Sequence, residues 1–185
     1  IVVNGWSPSK RNNPFANSGM VVQINLEDIK GIGTNPLAAL EFQQQIEATA
    51  FKAGGGSLKA PAQRMVDFVK GNISTDLPHN SYLPGVSSTS LSDVLPASIS
   101  SRLKAALPAF DRKMKGYYTN EAILVGVESR TSSPVRVPRS AEDFQHPDLN
   151  GFYPCGEGAG YAGGIMSAAI DGRMVADAIA RKILG

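Results

Sequence analysis

The run LNGFYPCGEGAGYAGGIMSAA, positions 149–169, gathers the groups best suited to hold an anion or the electron-rich edge of a ring. Gly156, Gly158 and Gly160 allow positive φ and bring backbone amides close to a ligand. Glu157 sets a carboxylate inside the same turn, where it can accept a hydrogen bond from a ligand hydroxyl. Gly163 and Gly164 precede a helical run that begins at Ile165, and the first turn of a helix offers unpaired N–H groups and a positive dipole end. The expected local structure is a short strand over 152–155, a tight loop and a helix start. Glycines at this spacing also serve strand–helix packing without any ligand, so the pattern by itself leaves both readings open.

Four cations could meet an anionic substrate. Lys10 and Arg11 lie in a polar loop rich in Gly, Pro, Ser and Asn, and Arg130 and Arg136 flank a Thr-Ser-Ser cluster. A guanidinium can grip a carboxylate or phosphate with two parallel hydrogen bonds. The alternatives are a solvated loop for the first pair and, for the second, structural ties to Glu128 or Asp143. His79 has no companions at metal-ligand spacing, and no metal site is expected. Cys155 is the only cysteine, which excludes an internal dithiol centre, and it is expected as a small buried filler. Gly54-Gly55-Gly56 follows a helical pattern and lacks the Lys-Ser/Thr of a phosphate loop, so it reads as a helix stop.

The elements that must position these groups follow from periodicity and punctuation. Apolar runs at 1–4 and 20–25 predict strands. Asn35 and Pro36 predict a helix start, with Leu37, Leu40, Ile46 and Phe51 on one face. A shorter helix is expected over 61–69, a connector over 73–89, and one or two helices over 92–113, with Pro108 kinking or ending the last turn. Strands are predicted at 122–127 and, between prolines, at 134–138. The final helix should pack Ile170, Met174, Val175, Ala178, Ile179 and Ile183 inward. The fold class is therefore α/β, with an α+β appearance in this stretch. The composition divides it into strand and loop over 1–35, a mainly helical segment over 36–118, and a return to strand and helix over 119–185.

The run GFYPCGEGAGYAGGIMSAAIDG resembles the C-terminal flavin motif of bacterial FAD-dependent dehydrogenase-like proteins, in the two-dinucleotide-binding flavoprotein superfamily that includes glutathione reductase. The segment NGWSPSKRNNPFANSG and the segment ESRTSSPVR resemble further stretches of the same family. The resemblance implies the C-terminal part of a Rossmann-like FAD/NAD(P)-binding domain, with 36–118 inserted as a substrate or cap domain. It implies FAD as cofactor, with Gly156 and Glu157 contacting the ribityl or phosphate region, Gly158 among the cofactor-binding residues, and Gly163, Gly164 and Ile165 facing the ring. It also implies an upstream segment bearing the dinucleotide fingerprint, which these residues lack, so the chain reads as a C-terminal fragment.

Composition narrows the remaining classes. The 185 residues are 42% apolar and 18% charged with a net charge of +2, too weak and too scattered for nucleic acid or an anionic membrane. No apolar run reaches bilayer length, no signal peptide opens the chain, and one cysteine fits a cytoplasmic location. The expected function is an FAD-dependent oxidoreductase acting on a small molecule, with no nameable acid or base. The alternatives are a binding or interaction module without flavin, and a nucleotide-binding protein of another fold that shares only the glycine turn. A sheet lacking its first βαβ unit would expose apolar faces, which a homodimer could cover.

Overall fold

The computed structural model describes residues 1–31 and 33–184. They form a mixed α and β structure whose sheet has three strands, and the chain packs into two units. The first comprises Ile1–Lys30 and Phe42–Ser129; the second comprises Gly31–Glu41 and Arg130–Gly185.

In the first unit, β1 (Ala60–Arg64) lies between β2 (Val86–Ser88), which it pairs in parallel, and β3 (Ile123–Val125), which it pairs antiparallel. The chain crosses from β1 to β2 through α2 (Met65–Lys70), which ends at Gly71 in the left-handed conformation, φ +79°. Helices α3 (Leu91–Val94) and α4 (Ala97–Lys113) follow. Their apolar sides enclose a core of Ala50, Met65, Phe68, Leu91, Val94, Leu107 and Val127. Ala50 belongs to α1 (Ala38–Ala53), whose later turns lie in this unit.

The segment 61–69 is a strand followed by a helix, where the sequence predicts helix throughout. Ala, Gln and Arg favour helices locally, but the central position between two strands overrides that preference. Pro61 lies opposite Gly126 just beyond the β1–β3 register, at the end of the ladder, and its carbonyl accepts the Gly126 N–H at 2.9 Å. Gln63 is 1% exposed, donates to the Asn72 carbonyl at 2.5 Å and accepts the Leu91 N–H at 2.9 Å, so it caps α3 from the sheet.

The connector over 73–89 contains β2, and α4 runs on through Pro108. The runs at 1–4 and 20–25 are extended without forming strands. Val3 nevertheless donates to the Val127 carbonyl at 2.9 Å. The helix stop at 54–56 is a steric necessity: a Cβ on Gly54 would meet the Lys59 carbonyl oxygen at 2.0 Å, and Gly55 and Gly56 have positive φ. On α1, Ala50 and the partly buried Ile46 and Ala53 face the core while Phe51 is exposed, so the buried face is rotated from the one the pattern predicts.

In the second unit, Asn35 accepts the Leu37 N–H at 2.9 Å and its carbonyl accepts the Ala38 N–H, which starts α1 as expected. The unit's long element is α5 (Ile165–Leu184), whose Asp171, Val175 and Ala178 are buried at helical spacing. Ile170, Met174 and Ile183, expected inward, are exposed. Residues 130–164 are irregular, and neither 134–138 nor 152–155 forms a strand. The first of these stretches still pairs once with the glycine turn, Val137 N–H to the Ala159 carbonyl at 3.1 Å.

Candidate functional site

The glycine turn is tied at both ends, with Gly158 exposed between them and Ala159 buried. The Gly156 N–H donates to Oδ2 of Asp171 at 2.8 Å, the Gly160 N–H to the Glu157 carbonyl at 2.9 Å, and the Tyr161 N–H to the Gly156 carbonyl at 3.0 Å. Gly156 and Gly160 both have positive φ. Gly160 cannot be another residue without movement, because a Cβ there would lie 2.6 Å from the Val135 carbonyl oxygen. Among the described residues, the amides of Glu157, Gly158 and Ala159 donate to nothing. Gly158 is exposed and Glu157 half-buried.

The helix start supplies a second set of donors. The first hydrogen bond into α5 runs from Ala168 N–H to the Gly164 carbonyl at 2.9 Å, so the amides of Ile165, Met166 and Ser167 precede it unpaired. Ile165 is 89% exposed, and Gly163 is exposed too.

Behind the turn lies a network that sequence reasoning missed. The Arg139 guanidinium grips Asp171 with two hydrogen bonds, 2.6 Å to Oδ1 and 3.0 Å to Oδ2, and donates to the Pro154 carbonyl at 2.9 Å. It also stacks 3.5 Å from the centre of the Tyr161 ring, whose hydroxyl donates to the Val137 carbonyl at 2.8 Å. Asp171 therefore reads the turn's first amide and the guanidinium at once. Its carboxyl is held below the usual range, chiefly by the Arg139 hydrogen bonds and further by the Gly156 N–H, against burial, which pushes it up. The sequence signal for this network is Asp171 lying on the same helical face as Val175 and Ala178 in α5.

The four candidate cations separate. Lys10 and Arg11 are exposed in the first unit, with Arg11 in a turn at φ +48°. Arg130 and Arg136 belong to the second unit. Arg136 is exposed and lies 4.5 Å from the centre of the Tyr161 ring. Cys155, expected as a buried filler, is exposed, because the turn projects it outward beside the buried Pro154. His79 packs its ring on Phe15 at 5.3 Å between centres.

The mixed α and β fold is that of a flavoprotein-related domain. The pattern describing FAD-dependent protein, C-terminal domain-like, matches residues 1–131, and the chain belongs to that family. An uncharacterized protein of Clostridium beijerinckii is 46% identical over 184 residues, 98% of this chain, so the similarity necessarily runs through the glycine turn as well. The chain spans 34% of that relative's length. Among the described residues, no helix is long and apolar enough to cross a membrane.

Proposed function

We propose that the chain is the C-terminal portion of an FAD-dependent oxidoreductase that holds flavin at the turn 156–160 and at the start of α5. The observation that carries this reading is the set of six unpartnered amides, at Glu157, Gly158, Ala159, Ile165, Met166 and Ser167, in a chain of an FAD-dependent family. Such donors suit phosphate and ribityl oxygens and the pyrimidine edge of a flavin ring. The Gly156 amide is engaged by Asp171, so Gly156 acts by its backbone conformation, and the contacts fall to Glu157 and Gly158. Gly163 and Gly164 leave the approach to the amide of Ile165 free of side chains. Flavin would supply hydride or electron transfer; the protein orients it and places a positive dipole end where reduced flavin is negative.

In this reading, 36–118 is the helical insert of a substrate domain, and Lys10 and Arg11 in the first unit and Arg130 and Arg136 in the second are separate candidates for contacts to an anion. The whole protein is proposed as cytoplasmic, with an upstream dinucleotide-binding segment completing the site and a homodimer as a further partner. A second reading, an interaction module without flavin, is favoured by one observation: Ile165, Met166, Ile170 and Met174 are exposed together along the first turns of α5.

A visible absorption spectrum of the 185-residue chain with and without added FAD separates the two. A flavin band that survives desalting, and that Glu157→Ala weakens, is the expected result. If neither this chain nor a longer one carrying the upstream segment retains flavin, the reading fails.

A further inference from the structure

We propose that Arg136, Tyr161 and Phe144 form a site for a small oxyanion attached to a flat ring. The second unit carries an open surface depression lined by Arg136, Pro138, Arg139, Ser140, Ala141, Phe144 and Tyr161. The two guanidiniums in its wall have different duties. Arg139 is nine-tenths buried, and its donors are engaged by Asp171 and the Pro154 carbonyl, so its charge is neutralised. Arg136 has no ion-pair partner among the described residues, so an unpaired cation lines the depression.

Stacking on Tyr161 occupies a face of the Arg136 guanidinium and leaves its in-plane N–H fork free, the part that matches a carboxylate or phosphate. The platform is rigid before any ligand arrives. Arg139 stacks on the same ring, the Tyr161 hydroxyl is bound to the Val137 carbonyl, and the Arg136 backbone is pressed against Gly160. A flat surface completes the wall: Phe144, a bulky residue held at φ +63°, keeps its ring 4.8 Å from the Arg139 guanidinium. A left-handed conformation at a phenylalanine is unfavourable and persists only where neighbours enforce it. Charge without a partner, a planar donor fork and an aromatic wall together select a planar ring bearing an oxyanion. Such an anion can come from a free aromatic acid or from a phosphorylated ring compound. The inference rests on reading Arg136 as an anion contact and is independent of flavin.

The test is calorimetric titration of the 185-residue chain with benzoate, phenyl phosphate, acetate and inorganic phosphate, with FAD binding measured on the same preparation. Benzoate or phenyl phosphate should bind saturably and about tenfold tighter than its ringless counterpart. The stronger of the two identifies the source of the anion. Arg136→Gln should weaken binding by about tenfold or more, and Arg136→Lys should not restore it, because the planar fork is lost. Ala141→Phe, which adds bulk to the lining of the depression without changing charge, should weaken binding. No saturable binding of either ring-bearing anion, equal binding of ringed and ringless anions, or unchanged binding in Arg136→Gln would overturn the proposal whatever the flavin result.

Discussion

Asp171 holds a buried guanidinium and the first amide of the glycine turn with one carboxylate, so its removal should be felt in both. Arg139 and Asp171 side chains are 9% and 12% exposed, and deleting one partner of such a pair leaves the other charged and desolvated. Asp171→Asn should cost the second unit about 3 kcal/mol at neutral pH, read as lost hydrogen-exchange protection in α5. The pH dependence has a definite sign. The folded carboxyl titrates below its ordinary value of 3.8, so its contribution is complete above that value and is lost as pH falls through the lower folded one. Wild type should therefore lose stability in the acid range below about pH 4, and Asp171→Asn should show a shallower acid limb. A limb of unchanged slope would mean the pair does not titrate as a unit.

At the scale of elements, β1 is the joint of the first unit, and its buried Gln63 ties sheet to helix. Gln63→Leu would leave the Leu91 N–H and the Asn72 carbonyl without partners inside the protein, at a cost of about 2 kcal/mol in urea unfolding. Helix α5 makes the opposite case. Val175 is 3% exposed, whereas Met166 and Ile183 are 71% and 75% exposed. Val175→Ala should destabilise by about 2 kcal/mol, while Met166→Gln and Ile183→Gln should fall within about 0.5 kcal/mol of wild type. A large loss in the last two would mean that this side of the helix is covered in solution. The sequence pattern marked the helix and its first residue but assigned too many of its apolar residues inward. Periodicity reports which residues share a face and cannot report whether anything lies against it.

For the molecule as a whole, the family match covers the first unit and stops short of the turn, whereas the similarity to the longer clostridial protein continues through it. If the chain is the C-terminal portion of a flavoprotein, as proposed, flavin binding depends on both these residues and the proposed upstream segment. FAD affinity should rise by about a hundredfold or more when that segment is joined to these residues, since a second set of phosphate contacts acts on the same ligand. An affinity unchanged by the addition would place all the flavin contacts elsewhere.

What the residues alone determined was local. The start of α1 at Asn35, the stop at 54–56 and the start of α5 after Gly163-Gly164 are fixed by caps, glycines and periodicity acting within a few positions. The glycine turn was legible for the same reason. Tertiary structure decided the rest: that Ala60–Arg64 is a central strand despite its helix-favouring residues, that Cys155 faces outward, and that the Gly156 amide belongs to Asp171. Each of these depends on a partner brought close by folding, such as Val86–Ser88 beside β1 or Arg139 beside α5. Neither the spacing nor the chemistry of a short window encodes where a distant segment will pack.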